Sequence, residues 1–169
     1  MRPVSATITI DAPRERVFDL LCDLSVRPAY TDHFLAEYRL GRLDPVGVGA
    51  SARFRLRESG AWLDTAIDQV ERPHLIREHG SGGRSNRVPS FTVWELADGP
   101  APSTCEVTVS FWTEPPTIFD RARELLGSSR AFARQWERAL ERLKAIAETG
   151  ASPDRVAVAG LDRVPATGG

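Results

Sequence analysis

Between Ala36 and Trp112 the chain carries six short segments in which apolar and polar residues alternate, and a single long helical pattern follows them. Ala36, Tyr38 and Leu40 alternate with Glu37 and Arg39. Ala50, Ala52, Phe54 and Leu56 alternate with Ser51, Arg53, Arg55 and Arg57. Trp62–Val70, Leu75–His79, Phe91–Leu96 and Cys105–Trp112 continue the series. A period of two is the mark of half-buried strands, and consecutive antiparallel strands build a sheet with one apolar face. The helix expected from Thr117 to about Glu148 carries the stripe Phe132, Trp136, Leu140, Leu143 and Ala147, with a kink or break at Gly127-Ser128-Ser129. It is the only element large enough to cover that face. One helix cannot fill the hollow of a strongly curved sheet, so the pattern predicts an α+β domain with a gap between sheet and helix.

The N-terminal stretch ITIDAPRERVFDLLCDL, Ile8 to Leu24, sets the rim of that gap. Ala6, Ile8 and Ile10 share one face of a strand. Asp11 is placed to accept hydrogen bonds from the next turn, and Pro13 has the backbone angle of a first helical turn. Val17, Leu20, Leu21 and Leu24 then recur at helical spacing. SVRPAYTDHF, Ser25 to Phe34, reads as a second short helix capped by Ser25.

Two local readings are less direct. On Trp62–Val70, facing Leu63, Thr65 and Ile67 inward keeps Asp64 and Asp68 wet, and a bulge near Asp68 returns Val70 to the inside. Gly80–Ser90 reads as a hairpin loop carrying Arg84 and Arg87, which fit either solvated loop residues or a gate for an anionic ligand. Residues 1–148 are expected to form one domain, followed by a flexible tail over 149–169 rich in Gly, Ala and Pro.

Composition narrows the function classes. A net charge of -1 gives no global attraction to nucleic acid or anionic membrane. Cys22 and Cys105 match no metal or redox spacing and read as buried reduced thiols. There is no apolar run for membrane insertion and no signal-like start, which points to the cytoplasm. His33, His74 and His79 lie on different elements and form no ligand set, so no metal and no cofactor are expected. Gly80–Gly83 lacks the ending and context of a phosphate loop, and no nucleophile elbow is present.

Acid–base chemistry needs only one carboxylate, phenol or imidazole in a dry site. Tyr30, His33 and Tyr38 are the catalytic candidates, since the second helix and second strand bring them toward the mouth of the gap. Arg53, Arg55 and Arg57, with Arg39 beside them, fall opposite Phe54 and point outward, where Glu37 partly neutralises them. That row also offers a docking face for an acidic protein or RNA, although it has no interleaved aromatics to favour nucleic acid. Trp62, Trp94, Trp112 and Trp136 read first as packing, with Trp136 on the helix face that floors the gap.

A strand ending in Asp-Ala-Pro, the helix Arg-Val-Phe-Asp-Leu-Leu with Asp23 soon after, Gln-Val-Glu-Arg-Pro at 69–73, Trp-Glu-Leu at 94–96 and a final helix with Trp136 and Leu143 resemble START-like proteins of the SRPBCC superfamily. The likeness runs from about Val4 to Ala147. It implies a helix-grip fold: a curved antiparallel sheet of about six to seven strands wrapped around a long C-terminal helix, with two short helices after the first strand and a deep apolar cavity. Members bind lipids, sterols, polyketides and plant hormones, and others are polyketide cyclases, oxygenase domains, ubiquinone-binding partners or ribosome-associated toxins. The resemblance therefore implies a pocket before any one chemistry.

On this reading the partner is a lipophilic small molecule lined by Phe54, Phe91, Trp94, Phe132, Trp136 and Leu140, bound by a monomer or homodimer. The alternative is a polyketide cyclase/dehydrase-like enzyme. Enzymes of that kind hold a poly-β-keto chain with cavity Arg and Tyr groups. Where they carry an arginine on the fourth strand, this chain has Asp68 or Gln69.

Overall fold

The computed structural model describes residues 3–83, 87–114, 129–150 and 152–157. In chain order the elements are β1 (Val4–Ile10), α1 (Arg14–Cys22), α2 (Pro28–Thr31), β2 (Leu35–Leu40), β3 (Ser51–Leu56), β4 (Trp62–Glu71), β5 (Leu75–Gly82), β6 (Val88–Asp98), β7 (Cys105–Thr113) and α3 (Ser129–Thr149). The strands form one antiparallel sheet in the order β1-β7-β6-β5-β4-β3-β2. Strands β2 to β7 are a meander, and β1 returns to lie beside the last of them. The helices α1 and α2 carry the chain from the β1 edge to the β2 edge, which places them at the open side of the curl. This is the helix-grip α+β architecture.

Alternation decides which side chains make the core. Leu63, Thr65 and Ile67 of β4 are buried. The pairing of β4 with β5 shifts register between Ile67 and Gln69, so the bulge expected near Asp68 is present and Val70 comes to lie opposite Ile76. Ile76, Trp94, Val107 and Val109 continue the inner face across β5, β6 and β7. Val17, Phe18 and Leu21 from α1, and Leu140 and Leu143 from α3, close over them. A second register shift lies between Ala36 and Arg39 of β2, where Glu37 has a φ of 52°. Such bulges increase twist and help a sheet to curl.

The glycines of Gly80–Ser90 do not all form a loop. The ladder between β4 and β5 continues through Gly80 and Gly82, and β6 already begins at Val88. At Gly80 a Cβ would lie 1.8 Å from the carbonyl oxygen of Asp64, so the two backbones come closer there than any side chain permits. Glycine normally weakens a strand, but here close approach requires it. Arg84 lies outside the described residues.

The N-terminal expectations need two corrections. The cap of α1 is Pro13, with no side-chain cap bond, and the Asp11 N–H instead donates to Glu148 Oε1 of α3 at 2.8 Å. Ser25 does not cap a helix over 25–34, because α2 is confined to Pro28–Thr31 and has Arg27 at its N-cap. The Ser25 N–H and hydroxyl both donate to Asp23 Oδ1, at 2.9 and 2.6 Å, and so form a side-chain-braced bend.

Polar links hold the second half of α3 against the first elements. Lys144 Nζ donates to the Thr9 carbonyl at 2.8 Å, and Arg16 Nε to the Ala147 carbonyl at 3.0 Å. Arg142 donates to the Ala29 carbonyl at 2.9 Å and pairs with Asp32. Beyond α3, the Val156 N–H donates to the Ser25 carbonyl at 2.9 Å. The segment 115–128, where the sequence pattern places the start of the long helix and its kink, lies outside the described residues. No helix among the described residues is long and apolar enough to cross a membrane.

Leu143 is fully buried where α3 meets the sheet. Leu143→Ala is expected to cost about 2–5 kcal/mol in urea unfolding, whereas Leu43→Ala on the exposed β2–β3 loop should stay within about 0.5 kcal/mol.

Candidate functional site

Strand β5 delivers a carboxylate to the centre of the interior. Ile76 faces inward, so Glu78, two residues on, faces inward as well, and it is 2% exposed. Its carboxylate is fully engaged. Oε1 accepts from Trp94 Nε1 at 2.8 Å and Arg27 Nη2 at 2.7 Å, and Oε2 accepts from Thr65 Oγ1 at 3.0 Å and Arg27 Nη1 at 3.3 Å. Arg27 reaches it from the bend before α2 and is 3% exposed. Its guanidinium lies 5.1 Å from the Trp94 ring centre and 5.9 Å from that of Tyr30. Burial alone would favour a neutral arginine. The facing Glu78 reverses that and holds Arg27 charged, above its ordinary value.

Around this pair lie polar atoms that make no well-formed hydrogen bond among the described residues. Arg27 Nε, Tyr30 Oη, Tyr38 Oη and Trp136 Nε1 are buried without a hydrogen-bond partner among the described residues. Burial pushes the Tyr30 phenol up to about 12, against the pull of Arg27. Burial also raises the Tyr38 phenol, with Arg27 again opposing. Both phenols therefore remain protonated near neutral pH and act as hydrogen-bond donors.

Aromatic rings pack between the sheet and α3. Trp136 meets Trp94 edge to face at 5.5 Å and Phe34 at 5.2 Å, while Phe132 packs on Phe111 at 4.9 Å and on Phe34 at 5.9 Å. Part of the expected gap is thus occupied by ring packing. Tyr38 stacks on Phe54 at 5.9 Å. Leu140 is buried on α3. Of the residues read from sequence, the structure brings Tyr30, Tyr38, Phe54, Trp94, Phe132, Trp136 and Leu140 to the interior side of the sheet.

Phe91 is elsewhere. It lies three residues before Trp94 on an unbroken strand, so the two must face opposite sides, and Phe91 stacks on Trp112 of the outer face at 5.2 Å. His33 is not a free acid or base either. Nε2 is hydrogen-bonded to the Gln135 carbonyl at 3.0 Å and Nδ1 faces Arg142 Nη1 at 3.2 Å. Those partners require a neutral ring that donates through Nε2 and accepts at Nδ1. Burial lowers the His33 pKa from its ordinary value, and Arg138 and Arg142 act in the same direction.

Arg27 and Glu78 escaped the sequence reading, although strand parity contains the signal. A glutamate in phase with Ile76 can only be an exposed residue on a slipped strand or a buried charge with a partner. The outer arginines are paired as expected of a solvated face: Arg55 with Glu37 at 3.1 Å and Arg53 with Asp64 at 3.6 Å, with Arg53 also over the Trp62 ring. Among the described residues no group of His, Cys, Asp and Glu could hold a metal ion. Burial raises both thiols, Cys105 to about 11, which leaves them unreactive at neutral pH.

The comparisons agree with this geometry. A family model described as polyketide cyclase / dehydrase and lipid transport matches residues 1–148. No curated protein matches the chain in sequence. Among solved structures, the KanY protein is similar at 18% identity with a TM-score of 0.66, covering 86% of this chain and 97% of its own. A Thermus thermophilus protein is similar at 19% identity and a TM-score of 0.64, covering 89% of this chain and 99% of its own. DynU16, from the dynemicin biosynthetic locus, is similar at 20% identity and a TM-score of 0.59, with 92% of this chain matched to 50% of that one. At these identities the likeness is one of fold.

Removing one member of the buried pair strands the other. Glu78→Gln or Arg27→Met is each expected to cost about 3–5 kcal/mol in denaturant unfolding, and the double variant less than the sum of the two. His33 gives a pH signature. Its folded pKa lies below the unfolded value of about 6.5, so the folded state resists protonation. Stability should be fully present above that value and fall as pH drops through it toward the folded pKa, and His33→Gln should flatten this part of the profile.

Proposed function

The chain belongs to the polyketide cyclase / dehydrase and lipid transport family, and on that premise we propose that it binds a lipophilic small molecule between the sheet and α3. The oxygenated part of that molecule would meet Arg27, Tyr30 and Tyr38. One observation carries the reading: buried donors on Arg27, Tyr30, Tyr38 and Trp136 lack partners among the described residues of a largely apolar interior. Each leaves a desolvation cost of about 1–3 kcal/mol unrecovered until an acceptor arrives. A ligand with carbonyl or hydroxyl oxygens supplies acceptors, and its apolar body contributes about 25 cal/mol for every Å2 it buries. Phe34 and Phe132 would have to part for it to enter.

The second reading is an enzyme of the polyketide cyclase/dehydrase kind acting in the same place. The Tyr30 phenol favours it, because a buried hydroxyl beside the Arg27–Glu78 pair can donate to a carbonyl oxygen and polarise it. His33 has no part in this version, since both its ring nitrogens are engaged.

Native mass spectrometry of freshly purified protein, followed by solvent extraction, should reveal a discrete lipophilic mass. Titration with naphthalene and 2-naphthol tests the donors. 2-Naphthol should bind about fivefold tighter or more, and Tyr30→Phe with Tyr38→Phe should erase that margin. Equal affinity for the two probes would sink the assigned role of the donors, and binding of neither would sink the pocket reading. If the protein is an enzyme, the same variants should lose turnover of a β-ketone while still binding it.

A further inference from the structure

Elsewhere on the molecule this chain places arginines beside acids: Arg14 with Asp98, Arg53 with Asp64, Arg55 with Glu37, Arg72 with Asp19, Arg142 with Asp32 and Arg155 with Asp23. Others, such as Arg39 and Arg42, have no carboxylate partner among the described residues, and in one region such arginines converge. A surface hollow of about 510 Å3 is lined by Arg57, Glu58, Ala131, Arg134, Gln135 and Arg138. Neither Arg134 nor Arg138 has a carboxylate partner among the described residues. They stand one turn apart on α3, and Arg57 faces them from the end of β3, with its Nε bonded to the Asp32 carbonyl at 2.8 Å. Among the described lining residues Glu58 is the single acid, set against three arginines.

Its position relates it to the interior. The Arg57 N–H donates to the Phe34 carbonyl at 2.9 Å, and the Phe34 ring packs on Phe132 and Trp136. Gln135, in the lining, is the residue next to Trp136, whose indole N–H is buried without a partner among the described residues. The hollow therefore opens beside the ring that covers the interior aromatic cluster. Inside, Arg27 is already neutralised by Glu78, so an anion placed beside it would meet no free positive charge there and would incur the desolvation cost of a buried ion. The rim can hold an anion in solvent contact, where arginine forks suit carboxylate and phosphate.

We propose that the ligand is an amphipathic anion, with its apolar chain directed past Phe34 toward Trp136 and a terminal carboxylate or phosphate held by Arg57, Arg134 and Arg138. This deepens the pocket reading and rests on it.

The test compares three probes of equal chain length by isothermal titration at low salt: decanoate, decyl phosphate and neutral 1-decanol. The anions should bind about tenfold tighter than the alcohol, with a margin that shrinks as salt rises. The exposed pair Arg134→Gln/Arg138→Gln should remove most of that margin and leave decanol affinity unchanged. Preference for decanoate over decyl phosphate, or the reverse, separates a free acid from a phosphorylated ligand. Equal binding of alcohol and anions overturns this inference and leaves the pocket reading intact. An anion preference that survives in the double variant also overturns it, by moving the charge recognition elsewhere. Binding of none of the three overturns both.

Discussion

The arrangement hangs on the ion pair between Arg27 and Glu78. A glutamate in phase with the inward side of a central strand would be intolerable alone, since an unpaired buried charge costs several kcal/mol. Its partner comes from the bend between α1 and α2, 51 residues earlier in the chain. The pair therefore ties the helical excursion to the middle of the sheet. Asp23 braces the bend through Ser25, and Thr65 and Trp94 complete the carboxylate from β4 and β6. Four elements thus share one electrostatic centre, and Tyr30 stands next to it because α2 begins one residue after Arg27.

Other contacts hold α3. Lys144, Arg142 and Glu148 bind backbone of β1 and α2, or the turn between β1 and α1, at its second half. At its first described turns α3 presents Phe132 and Trp136, whose contacts are rings from Phe34 and Phe111. Directional bonds are concentrated in one half, while aromatic packing and the His33–Gln135 bond cover the other. Edge-to-face ring contacts are worth about 0.5–1.5 kcal/mol each and can be remade against another aromatic surface. A helix anchored at one end over a repackable cluster suits a site that must admit a ligand.

Strand parity made most of the fold legible in the sequence. It fixed the faces of β3, β4 and β7 and required the bulge at Asp68, because period two leaves one consistent set of buried residues. The same rule, applied strictly, would have removed Phe91 from the lining and placed Glu78 inside. Both errors came from treating residue type as stronger evidence than phase. The loop over Gly80–Gly83 misled for a different reason: glycine's usual role as a breaker is local, while the close approach to Asp64 that requires it is a tertiary fact. His33 looked free because its partners, Gln135 and Arg142, lie 102 and 109 residues downstream.

Unsatisfied donors inside a domain work against its stability, and their retention needs an explanation in function. Replacing Tyr30 and Tyr38 by phenylalanine would remove two buried hydroxyls at almost constant volume, which on stability grounds alone is favourable. Such a trade is typical of sites whose polar groups are prepared for something absent from the folded chain. The consequence is a linkage. A molecule that satisfies these donors binds the folded state only, so it stabilises that state by an amount that grows with its concentration relative to Kd. On the proposed function the empty domain would then be less stable than the occupied one, and occupancy would close the rings of Phe34, Phe132 and Trp136 around the molecule that had parted them.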